Sequence, residues 1–404
     1  NGKTGTWLID PNDFTIAASG GDIDGATLSA DISSTDVVIQ SSMGSMGTKG
    51  DINVNDNVTW TTNKLTLEAE GNININANLK ANSNGSLDMK TGYNGSIYDS
   101  TKSIIVGMNS DGTFKGKVSF YTDAGATARG GTGFLSINGN GYTVINALGT
   151  SNTDTNTGKL TSIGINGYYA LGADIDASVT SNNAIWKYLY YGSYYYNGFK
   201  PLFGTSDSSS FSGIFNGLGH TIDKLYIAQE YSPTYSYTRS TGLFTSLSGT
   251  GTISNIGLTN LDMPSYGTNV GGLVGNVTGG TIANSYVTTA TSKFINGTNA
   301  GGLVGNISGS TSKIINSWAN ATIQGSTAGG LVGNITSSAS ITNSYAKGNL
   351  ENGNIQGGLV GSANGATITD SYASGNVGNN TYYNTMGGLV GSVTSSAISN
   401  SYYS

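Results

Sequence analysis

The chain lacks several residue types that common protein chemistries need. Its 404 residues include no cysteine, four prolines and one histidine, and only 10% of them are charged. Without cysteine there are no disulfides, thiolate metal sites or cysteine nucleophiles. The charged share is far below the usual quarter, whereas glycine, with 62 residues, is about twice as common as usual. Together with abundant asparagine and threonine, this composition favours strands and tight turns over helices.

The few charges also limit the partners that the chain can have. The net charge is −6 with a pI of about 4.7, and there is no basic stripe, so we expect no nucleic acid partner. No apolar run approaches the ~18 residues of a membrane span, so we expect no membrane insertion. The sequence opens on Asn1-Gly2-Lys3 without a signal peptide, and we interpret it as a piece of a longer exported protein.

The carboxy-terminal part repeats two short signatures. The pentapeptide Gly271-Gly272-Leu273-Val274-Gly275 returns at spacings of 30, 28, 28 and 30 residues. Its later copies begin at Gly301, Gly329, Gly357 and Gly387. An Ile-x-Asn-x-aromatic signature follows each copy. Its members are Ile282/Asn284/Tyr286, Ile314/Asn316/Trp318, Ile341/Asn343/Tyr345, Ile368/Asp370/Tyr372 and Ile398/Asn400/Tyr402. A fixed period without an amphipathic helix predicts an all-β fold, a parallel β-helix or β-solenoid with loop insertions.

The repeat also predicts local geometry. At spacings of two, the Ile, Asn and aromatic side chains should lie on one face of one strand. Stacked Ile would then fill a core, and stacked Asn would hydrogen-bond along the axis. The Gly pair should form a corner, because glycine adopts backbone angles that other residues avoid. Copies of one module stacked on an axis predict a single stiff rod.

Three stretches follow from the pattern. Residues 1–159 read as a β-helix of irregular coils, with short alternating strands bounded by Gly, Asn and Ser. Residues 160–240 read as coils that carry tyrosine-rich insertions, and residues 241–404 as the repeat coils. In the middle stretch, eight of the fourteen residues from Trp186 to Phe199 are aromatic, and a second tyrosine-rich loop spans residues 231–237.

Several of these segments resemble known families. The Gly-Leu-Val-Gly repeats look like the GLUG motif of bacterial surface proteins. Residues 6–11, 71–77, 165–176 and 217–222 resemble filamentous-haemagglutinin-like exoproteins of two-partner secretion, a group that includes high-molecular-weight adhesins. The resemblance implies a right-handed parallel β-helix that an outer-membrane transporter partner exports to the bacterial cell surface. It also implies adhesion to host cells, matrix polysaccharide or other bacteria, as in a biofilm.

The sequence departs from that group in two places. The amino-terminal secretion domain with its Asn-Pro motifs is absent, which supports the interpretation as a piece of a longer protein. The tyrosine-rich letters from Trp186 to Phe199 replace a shorter link and look inserted.

Candidates for catalysis are few. We expect the single histidine, His220, to be structural, because a catalytic histidine needs a partner carboxylate or a metal. There is no His-Glu-x-x-His, which excludes zinc-peptidase chemistry from this chain. The pairs Asp22/Asp24 and Asp174/Asp176 could bind calcium or act on a glycan, but two carboxylates are too few for a calcium shell. We favour capping or solvated roles for them, and we expect no metal, no cofactor and no enzyme activity.

The tyrosine-rich insertion is the candidate binding site. Aromatic faces stack on sugar rings, phenol hydroxyls bind sugar hydroxyls, and loops on a rigid scaffold are common sites of binding. The candidate ligand-binding residues are Trp186, Tyr188, Tyr190, Tyr191, Tyr194, Tyr195 and Tyr196. Alternatively, these rings pack back on the coils as a lid or mediate self-association.

Three functions remain open at this point. The first is an adhesin that binds a glycan or another cell-surface receptor without chemistry. The second is a passive stalk that displays a distal binding domain. The third, with least support from the scattered basic residues, is a polysaccharide-degrading enzyme. We favour the adhesin, because the tyrosine-rich insertion breaks the uniform period that a stalk would have.

Overall fold

The computed structural model describes residues 6–9, 11–43, 49–122, 127–182, 184–190, 194–203, 209–228, 240–265, 267–378 and 385–404. Strands dominate these residues and nearly all of them pair in parallel, each strand with its counterpart one coil away. The predicted all-β parallel solenoid is therefore confirmed, while its handedness stays a prediction. The strands form two stacks, which we call the first and the second solenoid, rather than one rod.

The first solenoid has three faces, which we name sheets A, B and C. Sheet A contains Thr6–Ile9, Asp36–Ser41, Lys64–Ala69, Ser86–Thr91 and Leu135–Ile137, with Asn140–Gly141 added antiparallel at its edge. Sheet B contains Phe14–Ile16, Ile52–Val54, Ile73–Ile75 and Ile104–Val106. Sheet C contains Val58–Trp60, Leu79–Asn82 and Val118–Tyr121. Alternate residues point inward, so Ile52, Ile73 and Ile104 stack in register and are buried in the core.

A helix replaces the sheet C strand in the first coil, which the composition did not predict. Helix α1 spans Gly25–Ser34, and the side chain of Asp24 caps it by accepting from the Thr27 N–H at 2.8 Å. Leu28 and Ile32, four residues apart, are fully buried on one helix face. The helix packs on Val58–Trp60 and so covers the edge of sheet C, which would otherwise offer unpaired backbone groups.

The second solenoid has four faces, sheets D, E, F and G. Sheet D contains Thr143–Ile145, Tyr168–Leu171, Ile214–Asn216, Thr252–Ser254, Thr281–Ala283, Lys313–Ile315, Ser340–Thr342, Thr367–Thr369 and Ala397–Ser399. Sheet E contains Ile175–Asp176, Thr221–Asp223, Gly257–Leu261, Tyr286–Thr289, Trp318–Asn320, Tyr345–Ala346, Tyr372–Ala373 and Tyr402–Tyr403. Sheet F contains Ser240–Thr241, Asn269–Gly271, Phe294–Gly301, Thr322–Gly329, Leu350–Glu351, Ile355–Gly357 and Thr385–Gly387. Sheet G contains Phe244–Leu247, Val274–Val277, Val304–Ile307, Val332–Thr336, Val360–Asn364 and Val390–Thr394. The chain changes from the first stack to the second between Gly141 and Thr143, ahead of residue 160 where the sequence pattern changes.

The repeated residues stack as ladders, as predicted. Ile282 pairs with Ile314, and Val274 with Val304, each one coil apart and fully buried. The aromatic rings form an aromatic column along sheet E, in which Tyr286 and Trp318 stack at 4.7 Å with planes only 5° apart. The column continues through Tyr345, Tyr372 and Tyr402.

The predicted single strand for the Ile-x-Asn-x-aromatic signature is wrong. Ile282 lies on sheet D and Tyr286 on sheet E, and Asn284 forms the corner between them with φ of 48°. Asparagine tolerates this left-handed conformation because its short side chain hydrogen-bonds locally. The corner asparagines nevertheless make the predicted ladder: Asn284 Nδ2 donates to Asn255 Oδ1 at 2.6 Å, and Asn343 Nδ2 to Asn316 Oδ1 at 2.5 Å.

The Gly-Gly-Leu-Val-Gly turn forms the corner between sheets F and G, but not for the predicted reason. Gly271, Gly272 and Gly275 have no positive φ. Instead, a Cβ on Gly272 would lie 2.6 Å from the Gly302 carbonyl oxygen, and one on Gly275 would lie 2.5 Å from the Thr241 nitrogen. The glycines are required because the backbones of adjacent coils and faces approach too closely for any side chain.

The end of the first solenoid abuts the side of the second. The Phe120 N–H donates to the Gly172 carbonyl and the Val118 N–H to the Leu218 carbonyl, both at 3.0 Å. Gly172 and Leu218 belong to successive coils of the second solenoid, at the corner of sheets D and E. This contact, which we call the junction, covers the last strands of sheets B and C and removes another open edge. No helix in the described ranges is long and apolar enough to cross a membrane.

Candidate functional site

The tyrosine-rich insertion leaves the second solenoid after sheet E. The coil runs through Ile175–Asp176 and a 3-10 helix at Ser178–Ser181, and then departs from the stack. Lys187–Tyr190 and Tyr194–Gly198 pair antiparallel as a hairpin, and Ile227–Ala228 from the next coil adds a third strand. We call this three-stranded unit the tyrosine hairpin. A second 3-10 helix, Leu160–Ser162, lies in the coil before it.

The foot of the hairpin is fixed in the core. Trp186 is 2% exposed and stacks on Phe199, with ring centroids 6.0 Å apart and planes 28° apart. The Gly198 N–H donates to the Trp186 carbonyl at 2.6 Å, which closes the foot. Asn152 clamps it from outside: its Nδ2 donates to the Gly198 carbonyl at 2.9 Å, and its Oδ1 accepts from the Lys200 N–H at 2.7 Å. These contacts anchor the foot of the hairpin to the coil.

Gly198 is the residue that allows the hairpin to join the stack. Its φ is 90°, and a Cβ there would collide with the Tyr226 carbonyl. The Phe199 N–H donates to that same carbonyl at 2.8 Å, so strand Ile227–Ala228 is drawn against the hairpin. Only glycine combines this backbone angle with this closeness.

The structure places the candidate residues in three different settings. The ring of Trp186 lies in the core, where a ligand in solution cannot reach it. Positions 188, 190, 194, 195 and 196 lie on the hairpin strands, with Tyr188 opposite Tyr196, Leu189 opposite Tyr195, and Tyr190 opposite Tyr194. Alternation along strands puts positions 188, 190, 194 and 196 on one face and 189 and 195 on the other. Tyr191 and the second tyrosine-rich loop, residues 231–237, lie outside the described residues.

A shallow pocket opens beside the foot of the hairpin. It has a volume of about 270 Å³ and is lined by Asn152, Thr161, Ile163, Lys200, Pro201, Leu202 and Phe203. Apolar residues form part of its wall, polar atoms contribute the larger share of its surface, and Lys200 is its one charged lining residue. Such a pocket has the size of one sugar ring rather than of a larger cofactor.

His220 lies at the junction, with partners that sequence reasoning did not identify. Its ring is 1% exposed; Nε2 lies 2.9 Å from the Val118 carbonyl and Nδ1 lies 3.2 Å from Asp174 Oδ1. Ser119 Oγ lies 3.4 Å from the same Nε2, so the three side chains superficially resemble a Ser-His-Asp triad. A carbonyl only accepts, so Nε2 carries a proton and has no lone pair with which to take one from Ser119. The arrangement joins the two solenoids through the His220 ring.

Asp174 completes this junction. Lys117 Nζ forms a 2.5 Å ion pair with Asp174 Oδ2, and the Thr221 N–H donates to Oδ1 at 2.9 Å. Partial burial raises the pKa of the carboxyl, but the hydrogen bonds from His220, Lys117 and Thr221 outweigh burial and hold the pKa below its usual value. The carboxylate is therefore stabilised in its charged form.

The other predicted carboxylates have backbone partners. Asp24 caps helix α1, Asp22 Oδ2 accepts from the Thr15 N–H at 2.7 Å, and Asp176 Oδ1 accepts from the Ser178 N–H at 2.9 Å. The bonds of Asp24 and Asp176 are cap and turn geometries, in which the carboxylate replaces a missing backbone acceptor, whereas the bond of Asp22 joins residues seven positions apart. In the described part of the chain, no three histidine or acidic side chains converge as metal ligands would.

Comparison with known proteins gives two results and one negative finding. A profile of the GLUG motif matches residues 266–291 and 324–351. No curated protein matches the chain. The chain is similar to a solved structure from Bacteroides ovatus, named provisionally as an immunoglobulin A1 protease, with 18% identity and a TM-score of 0.39, covering 64% of this chain and 84% of that chain. At this score the similarity carries no argument, and the fold stands on the strand pairing. The matched segments identify GLUG motifs within the coils of the second solenoid.

Proposed function

We propose that the protein is an adhesin that binds a glycan on a host cell or in a matrix through the tyrosine hairpin. The observation that carries the proposal is the hairpin itself, an antiparallel insertion in a parallel stack, with four tyrosine positions on one face. The stack below it supplies a rigid mount through Trp186, Phe199 and Asn152. Binding residues on a rigid mount lose little conformational entropy when a ligand arrives.

Tyrosine suits a glycan better than a purely apolar partner. The ring stacks on the apolar face of a sugar, while the phenol hydroxyl donates to and accepts from sugar hydroxyls. Tyrosine has few rotatable bonds, so its ordering costs little. The pocket at the foot, with its apolar wall and Lys200, extends this surface towards the coil.

The wider setting follows from the same proposal. An adhesin of this kind acts outside the cell, secreted or held at the bacterial surface, with an outer-membrane transporter as its export partner. It binds without chemistry, and so needs no cofactor. The GLUG coils would then serve as scaffold, because their repeated glycines and buried ladder residues pack against neighbouring coils.

An array of immobilised glycans, probed with the purified chain, tests the proposal. A combined Tyr188→Thr, Tyr194→Thr and Tyr196→Thr variant should lose binding by about tenfold or more, because it removes three rings from one face. Threonine keeps the strand propensity of the hairpin, so the melting temperature should not change. Tyr195→Thr, on the opposite face, is the matched control and should bind like the parent chain.

The same array separates the alternatives. Saturable binding without product release supports the adhesin, whereas release of shortened glycan would favour a polysaccharide-degrading enzyme. No binding to any glycan would favour the passive stalk. Equal loss in the Tyr195→Thr control would mean that the face assignment is wrong, even if the hairpin binds.

A further inference from the structure

The corner asparagines of the second solenoid do more than stack on each other. Asn255 Nδ2 donates to the Ile104 carbonyl at 3.1 Å, and its Oδ1 accepts from the Val106 N–H at 3.2 Å. Asn284 Nδ2 donates to the Val106 carbonyl at 2.8 Å. One side-chain amide thus bonds a carbonyl and an N–H two residues apart, as a peptide group does in a parallel ladder. The asparagine corner pairs with the edge of an extended strand, here the strand Ile104–Val106.

The neighbouring aromatic column contacts the chain segment that follows that strand. Phe114 packs on Tyr286 with ring centroids 5.2 Å apart, and Trp318 Nε1 donates to the Gly112 carbonyl at 3.2 Å. A Cβ on Gly112 would lie 2.7 Å from the Trp318 ring, so only glycine can sit there. Tyr286 and Trp318 are consequently buried, at 2% and 5% exposed.

The same two columns continue past the region that the first solenoid covers. Asn316 and Asn343 are exposed at the corner with φ of 50°, the conformation of Asn255 and Asn284. Beside them, Tyr345 and Tyr372 remain half-buried and stacked at 4.9 Å. Asn343 uses one N–H on Asn316, as Asn284 uses one on Asn255. Its second N–H has no partner in the described part of the chain.

We call the part of the two columns that the first solenoid covers the upper half, and the part beyond it the lower half. The lower half contains Asn316, Asn343 and Asp370 with Tyr345 and Tyr372. We propose that it is a docking groove for an extended, glycine-containing peptide segment of a partner protein. The upper half shows the mode of binding, since the chain's own strand and glycine loop occupy an uninterrupted continuation of this surface. Corner amides pair with the backbone of the incoming strand, and a glycine rests on the aromatic column. A second copy of the chain is not the partner, because its own Ile104–Val106 strand is already engaged.

The groove also favours a partner that offers a hydrogen-bond donor. Asp370 takes the place of an asparagine in the column and is exposed. Its Oδ1 already accepts from Asn400 Nδ2 at 3.1 Å. A carboxylate only accepts, so its remaining capacity suits an N–H or a basic side chain of the partner. A glycan is less suitable here than on the tyrosine hairpin, because the column rings stack on each other and present their edges to solvent.

A synthetic peptide with the sequence of residues 103–116 tests the proposal, as a probe for the extended segment. It should bind the full chain saturably, and Asn343→Gly should weaken binding by about tenfold, because glycine keeps the positive φ but removes the amide. Asn334→Ala is the matched control: it breaks an equivalent ladder bond, 2.7 Å to Asn306, on sheet G. Asp370→Gly is a second groove variant if Asn343→Gly fails to fold.

Hydrogen exchange locates the bound peptide. Protection of residues 340–346 and 367–373 on peptide addition would support the groove. Three results would overturn the proposal: no saturable binding, equal binding by the parent chain and Asn343→Gly, or protection confined to residues 252–290, which would mean exchange with the chain's own strand.

Discussion

At the residue scale, the second solenoid depends on positions where neighbouring backbones leave no room for a side chain. The repeated glycines were predicted at a corner, and they lie at one, but their φ values are ordinary. What they supply is closeness: a Cβ on Gly301 would lie 2.7 Å from the Gly333 nitrogen and 2.8 Å from the Leu331 carbonyl oxygen. The positive φ belongs instead to the corner asparagines. A sequence shows that a glycine recurs, but not whether the position needs a positive φ or the absence of a side chain.

The glycine argument predicts a specific loss of stability. Gly301→Ala should destabilise the chain by about 1–3 kcal/mol, because the new methyl group meets backbone atoms of the next coil that cannot move aside. Thermal or urea unfolding measures the change. Gly141→Ala is the matched control, since no atom lies within 4 Å of its Cβ position and its φ is not positive. Equal stabilities for the two variants would contradict the packing explanation.

At the element scale, the ladders could be predicted from the sequence, whereas helix α1, which caps the edge of sheet C, could not. Each ladder position recurs in five copies, at spacings of 27 to 32 residues. The signatures therefore predict which residues pair, as the pairing of Ile282 with Ile314 shows. Helix α1 occurs once, in a chain whose composition disfavours helices. Its signals are present in Asp24 and in the spacing of Leu28 and Ile32, but they are short and local. A single cap leaves no period to detect.

Helix α1 should protect the edge that it covers. Leu28→Ala removes a fully buried side chain between the helix and sheet C, and should cost about 2–5 kcal/mol of local stability. Because the edge of Val58–Trp60 then becomes accessible, we also expect self-association at high concentration. Unfolding measurements and light scattering report the two effects. Ala30→Gln, on the exposed side of the same helix, should change neither, and a monomeric Leu28→Ala chain would argue against the edge role.

At the scale of the whole molecule, the junction was beyond sequence reasoning. His220 meets residues 101 and 102 positions away, and Asn255 meets residues 149 and 151 positions away. No repeat or motif links these partners, and each segment reads equally well as part of a continuous rod. The tyrosine hairpin lies between these cases: its aromatic content marked it as an insertion, whereas its register and its anchor through Asn152 required the structure.

The junction should loosen in acid, and the carboxyl of Asp174 gives the sign. Its pKa is lowered in the folded chain, so its contribution to stability is complete above its ordinary pKa of about 4 and is lost as the pH falls towards the lowered value. Asp174→Asn lacks this contribution at every pH. The parent chain should therefore be more stable than Asp174→Asn at neutral pH, with the difference shrinking below about pH 4. Melting temperatures across this range measure the stability, and hydrogen exchange at residues 116–121 measures the opening of the junction separately.

Asp262→Asn, which removes a surface ion pair with Lys293 away from the junction, should leave exchange at residues 116–121 unchanged. If the parent chain and Asp174→Asn differ by the same amount at all pH values, the hydrogen bonds of this carboxylate do not hold the two solenoids together.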